Sequence, residues 1–135
     1  MRKPQRHVAL ASVVVVTWMA GCEKERSELG LVEGLVTLDG QPLANALVEF
    51  HPVDIERSSY EGQTDKTGRY ELYASAKRKG AEPGEYTVHI TLPKKGSDSL
   101  AAAQPKIPAK YNARTELKVT VAQGRNTLNF PLSSE

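Results

Sequence analysis

Gly62-Gln63-Thr64-Asp65-Lys66-Thr67-Gly68-Arg69-Tyr70-Glu71-Leu72 sets two short strand patterns on either side of an Asp-Lys-Thr-Gly turn. Asp and Gly supply the turn conformations, while Tyr70 and Leu72, on alternate positions, point to one buried face. The stretch reads as a hairpin with arms at Glu61 to Thr64 and Arg69 to Tyr73. Its chemistry is that of a turn, and the rest of the chain reads as its partners.

The clearest partner lies downstream. Tyr86, Val88, Ile90 and Leu92 alternate with Glu85, Thr87, His89 and Thr91, a period of two that no helix would keep. Upstream, Val32, Gly34, Val36 and Leu38 alternate before Asp39-Gly40, and Ala46, Val48 and Phe50 share a face before Pro52 ends that strand. Near the C-terminus Leu117, Val119 and Val121 alternate, and after Gln123-Gly124 a last strand turns Leu128, Phe130 and Leu132 inward and Pro131 outward. The connection from Pro93 to Arg114 is about 22 residues long, unusual for a structureless loop, and Ser97-Asp98-Ser99 predicts a short helical turn through Leu100 to Gln104. Seven short strands, regular turns and no long helix predict an all-β fold, a seven-stranded antiparallel β-sandwich.

The front of the chain reads differently. Arg2, Lys3 and Arg6 precede an apolar run from Val8 to Met19, and Ala20-Gly21 precede the only cysteine, Cys22. That run is about 12 residues, short of the roughly 20 that span a bilayer, so residues 1–21 read as a cleaved lipoprotein signal peptide and Cys22 as the lipidated residue. Several acyl chains, at roughly 0.8 kcal/mol per buried methylene, make such an anchor durable. Residues 22–30 form a charged tether with a reach on the order of 30 Å, and residues 31–135 form the domain. Three of the 18 basic residues and none of the 16 acidic ones lie before Cys22, so the chain from Cys22 onward carries 15 basic against 16 acidic residues, a formal −1. The basic precursor is therefore no argument for nucleic acid as a partner.

Gly34-Leu35-Val36-Thr37-Leu38-Asp39-Gly40-Gln41-Pro42-Leu43, then Ala46 to Phe50, Thr64 to Tyr70 and Pro83 to Val88, together resemble the carboxypeptidase regulatory-like, transthyretin-like domain. Ile107-Pro108-Ala109-Lys110-Tyr111-Asn112 and Gly124 to Phe130 are similar to segments of small planctomycete-type lipoproteins of that class. The resemblance implies a prealbumin-type sandwich. It implies no particular activity, because a fold of this kind hosts many functions.

Candidate sites are few. His51 and His89 sit on outward positions with no spacing for a zinc site, and Asp39 and Asp65 read as turn residues, so no metal and no cofactor is expected. Hydrolases of the transthyretin-like kind that act on 5-hydroxyisourate use a Tyr-Arg-Gly-Ser tail, whereas this chain ends Pro131-Leu132-Ser133-Ser134-Glu135, and no Gly-x-Ser-x-Gly elbow is present. Lys77-Arg78-Lys79 and Lys94-Lys95 read as solvated loops. Phe50, Tyr70, Tyr86 and Phe130 belong to the core, which leaves Tyr60, Tyr73 and Tyr111 as candidate stacking residues for a carbohydrate. The expected protein is an exported, membrane-anchored lipoprotein of the cell envelope with a non-catalytic structural or interaction module, whose partners are the membrane through Cys22 and envelope proteins or polysaccharide. A carbohydrate-binding module is the alternative, and a small hydrolase the third reading. Glu23 stands where an Asp retains some bacterial lipoproteins at the inner membrane, which points to the outer membrane.

Overall fold

The strictest alternation in the sequence becomes the centre of the molecule. Tyr86, Val88 and Ile90 are fully buried along one strand, with Val48 and Phe50 fully buried on its neighbour. Burying side chains of this size contributes roughly 1.5–3 kcal/mol each, which is why the period-two pattern dictates local structure here. The structure, a computed structural model, describes residues 28–93 and 104–135. Cys22, most of the tether, Lys94-Lys95 and the helical turn expected from Leu100 lie outside the described residues. Within them no α-helix forms, and no helix is long and apolar enough to cross a membrane.

The strand segments are β1 (Leu31–Leu38), β2 (Gln41–Pro42), β3 (Leu47–Pro52), β4 (Tyr60–Gln63), β5 (Arg69–Glu71) and β6 (Tyr73–Ser75). They continue with β7 (Arg78–Lys79), β8 (Gly84–Thr91), β9 (Lys118–Val121), β10 (Arg125–Thr127) and β11 (Phe130–Leu132), with a 3-10 turn at Ala109–Tyr111 before β9. One sheet is centred on β1, with β5 and β2 on one side and β10 and β11 on the other. The second runs β7-β6-β4-β3-β8-β9 and is antiparallel throughout. Both sheets feed one core, in which Phe130 of the first lies edge-on to Phe50 of the second with ring centroids 6.2 Å apart. The Tyr70 hydroxyl reaches its hydrogen-bond acceptor at the Leu128 carbonyl, 2.7 Å away. The chain is all-β with a β-sandwich-like build.

Three expectations are corrected. The seven expected strands become eleven segments, because two strands each break in the middle and two-residue strands form at Gln41–Pro42 and Arg78–Lys79. The sheets are not wholly antiparallel, since β10 and β11 run parallel to β1 in the registers Leu31↔Arg125 and Val36↔Phe130. The cause is a crossing between sheets after β9, pinned by Asn126, whose side-chain amide donates to the Ala122 and Leu31 carbonyls and accepts from the Ala122 N–H.

The third correction concerns Gly62 to Leu72. Its two arms pair with each other only at their base, Glu61 with Tyr73; above it they part, β4 pairing with β3 in the second sheet and β5 with β1 in the first. Asp65 to Gly68 is therefore a corner between sheets. The turn itself is as expected, with the Asp65 N–H donating to the Arg69 carbonyl at 2.8 Å and the Gly68 N–H to the Asp65 carbonyl at 3.0 Å. Gly68 has φ +79°, and a Cβ there would stand 2.6 Å from the Val36 carbonyl oxygen, so the position requires glycine. Gly62 is needed for a different reason: a Cβ would meet the Glu71 carbonyl oxygen at 2.2 Å, where the two arms pass close.

Candidate functional site

The strand after the corner changes sheet within one residue. The Leu72 N–H donates to the Val32 carbonyl at 2.9 Å, which keeps Leu72 in the core, and the next residue, Tyr73, already faces Glu61 in the second sheet. This step leaves Tyr73 at the junction of the two outer faces, 40% exposed. Its hydroxyl donates to Glu71 Oε2 at 3.1 Å, and the Lys79 ammonium lies 2.7 Å from the same oxygen and 5.8 Å from the Tyr73 ring centroid. Hydrogen bonds from Lys79 and Tyr73 hold the Glu71 carboxyl below its ordinary value, and the same contact raises Lys79.

Two surface depressions meet at this point. One, of about 520 Å³, lies on the first sheet with exposed Leu35 in its floor and Glu33, Asp65, Arg69, Glu71 and Asn129 around it. The other, of about 640 Å³, lies on the second sheet with Leu47, Glu49, Ser59 and Glu61 in its lining. Gln63 and Tyr73 belong to both. The sizes are those of ordinary small-molecule sites.

Of the three tyrosines singled out in the sequence, Tyr73 is the exposed one, with Lys79 over its ring. Tyr60 is 5% exposed, packed edge-on against Tyr86 at 6.0 Å, because it shares the inward side of β4 with Gly62 and Thr64. Tyr111 is half-buried against the core; its hydroxyl accepts from the Ser133 N–H at 3.1 Å, and Lys110 lies over its ring at 5.2 Å. It pins the loop and the C-terminal segment together.

Asp65 serves the corner. Its Oδ1 accepts from the Thr67 hydroxyl at 2.6 Å, the Thr67 N–H at 2.8 Å and the Arg69 N–H at 3.1 Å, and these bonds lower its pKa. Asp39 is lowered in the same way by the Ser134 N–H, which it accepts at 2.9 Å. A second polar knot closes the loop before β8: Arg57 donates to the Pro83 carbonyl at 2.8 Å and to Glu82 at 3.3 Å, and Tyr86 donates to the Glu82 carbonyl at 2.6 Å. Burial pushes the Tyr86 hydroxyl up to about 12.

His51 and His89 face outward as expected and touch edge-to-face, with ring centroids 4.7 Å apart. Ser59 Oγ lies 3.2 Å from His51 Nδ1, and Glu49 lies 4.0 Å from Nε2. A nucleophile needs a base that a third group orients within hydrogen-bond reach, and 4.0 Å is beyond it. Among the described residues, no three His, Cys, Asp or Glu side chains are arranged to hold a metal ion.

The residues that the sequence did not single out are the outward glutamates. Glu33 stands directly opposite Glu71 in the first sheet, and Glu49 directly opposite Glu61 in the second. Strand register alone decides these pairings, and no local pattern announces them. No protein-family model matches the chain, and no curated protein matches it.

Proposed function

We propose that the chain is an exported lipoprotein, anchored at the cell envelope through Cys22, whose transthyretin-like β-sandwich over residues 31–135 is a non-catalytic interaction module. The observation that supports a binding role is the open junction at Tyr73. There an exposed aromatic ring stands between two depressions lined by carboxylates and amides, the first of which also exposes the apolar surface of Leu35. Outside the two depressions the densely hydrogen-bonded side chains Arg57 and Asn126 hold a loop and a crossing, and Asp65, at the rim of the first, holds the corner. A carbohydrate is the ligand class favoured by this junction, because an exposed tyrosine beside acceptors and amides suits the flat face and hydroxyls of a sugar ring.

The anchor has its own test. Mass spectrometry and membrane fractionation of wild type and Cys22→Ser are expected to show acylated, membrane-associated wild type and an unacylated, released variant. Unchanged membrane association of Cys22→Ser would overturn the anchor.

A further inference from the structure

The two depressions adjoin at Tyr73, and we infer that together they form one trough that binds a linear polysaccharide carrying free amino groups, with Tyr73 as the stacking residue between two subsites. This inference rests on the binding role proposed above and adds the site, the extent of the ligand and its charge. Gln63 and Tyr73 line both depressions, which places the two side by side across the Tyr73 ring. Leu35 and Leu47 give each side an apolar patch, and the intervening ring gives a flat one.

Charge selects the occupant. The lining carries five carboxylates, Glu33, Asp65 and Glu71 on one side and Glu49 and Glu61 on the other, against one guanidinium, Arg69. Four of these carboxylates form two directly opposed cross-strand pairs, Glu33 with Glu71 and Glu49 with Glu61. Like charges in that position repel. Partners from outside the trough relieve one pair: Arg125 lies 3.6 Å from Glu33 and Lys79 lies 2.7 Å from Glu71. Among the described residues Glu61, next to Tyr73 in the cross-strand register, makes no ion pair. Lys79 also shows what the site accepts, since its ammonium sits against a Glu71 carboxylate oxygen and over the Tyr73 ring. A ligand ammonium beside Glu61 repeats that chemistry, whereas uronate, sulfate or phosphate groups meet repulsion.

A saccharide fits better than a basic peptide. Peptides recognised by sheets add a strand at an edge through backbone hydrogen bonds, while this trough is lined by outward side chains on sheet faces. Its polar groups are carboxylates and the Gln63 and Asn129 amides, which pair with hydroxyl and ammonium groups alike.

The test is calorimetric titration of the full chain in detergent with glucosamine oligomers of one to six units. Matched N-acetylglucosamine oligomers, galacturonate oligomers and tetralysine form the comparison arms. Glucosamine oligomers are expected to bind with affinity that rises with length and then levels, and to weaken as salt rises. Tyr73→Ala and Glu61→Gln are each expected to weaken binding about tenfold without lowering the unfolding midpoint, and Tyr73→Phe is expected to retain binding. No binding, or binding indifferent to Tyr73→Ala, would overturn the site. Equal binding of the N-acetylated oligomers, still lost in Tyr73→Ala, would overturn the amine assignment and leave the module reading standing. Tighter binding of tetralysine would overturn the saccharide. Failure of the anchor is read separately, from Cys22→Ser.

Discussion

The corner at Asp65 to Gly68 and the trough at Tyr73 lie side by side and use similar residues to opposite ends. At the corner the carboxylate and the buried hydroxyl are both met from within the chain. Asp65 takes three hydrogen bonds, and buried Thr64 donates to the Leu43 carbonyl at 2.6 Å and accepts from the Ala46 N–H at 2.8 Å. In the trough, carboxylates face each other across strands and Glu61 makes no ion pair among the described residues. Internal satisfaction marks residues that specify architecture; opposed charges left facing water mark a surface that gains from something outside.

Substitutions at the two places should therefore differ in size and sign. Gly68→Val is expected to destabilise the domain most, by on the order of 3 kcal/mol in chemical denaturation, through a left-handed backbone and a clash with the Val36 carbonyl. An unchanged midpoint would show that the corner tolerates a side chain. Thr64→Val keeps the shape but leaves the Ala46 N–H and the Leu43 carbonyl without that partner, with an expected loss of about 2 kcal/mol.

Asp65 yields a pH signature. Its folded pKa is depressed, chiefly by the Thr67 hydroxyl, so the unfolded chain takes up the proton first as pH falls. The stabilisation is present above the ordinary value of 3.8 and is lost as pH drops through the lower folded value. Between about pH 5 and about pH 2 the unfolding midpoint of Asp65→Ala should fall less steeply than that of wild type, and parallel curves would count against the bracket. The smallest effect has the opposite sign. Glu61→Gln removes one charge of an opposed pair and is expected to stabilise by about 0.5 kcal/mol. A loss of stability there would mean that Glu61 is structural, and the contrast between the two regions would weaken.

The sequence made the core legible where alternation was strict. Phe50, Tyr86, Val88 and Ile90 follow from period two because both neighbours of each are polar, and Val48 follows as the residue two before Phe50 on the same face. Partner choice was not legible. Tyr70 and Leu72 are buried in a hairpin and in a corner alike, and only long-range pairing with β1 or β3 separates the two. The parallel return of β10 and β11 was hidden for the same reason, since it depends on Asn126 reaching across to Leu31. Tyr60 could have been assigned to the core, because Glu61 and Gln63 are the polar members of that strand and alternation sends Tyr60 to their opposite side. Tyr73 stood out as an aromatic, but its glutamate neighbours did not, because they come from β1, β3, β4 and β5 and meet only in the fold.

The claim that the trough is a binding surface and the corner a structural one is tested most directly by thermal unfolding of the full chain with and without glucosamine tetramer, in wild type and Tyr73→Ala. A ligand that binds only the folded state raises the midpoint. The account predicts a rise in wild type, a clearly smaller rise in Tyr73→Ala at the same ligand concentration, and equal midpoints for the two proteins without ligand. An equal rise in both, or none in wild type, would contradict it.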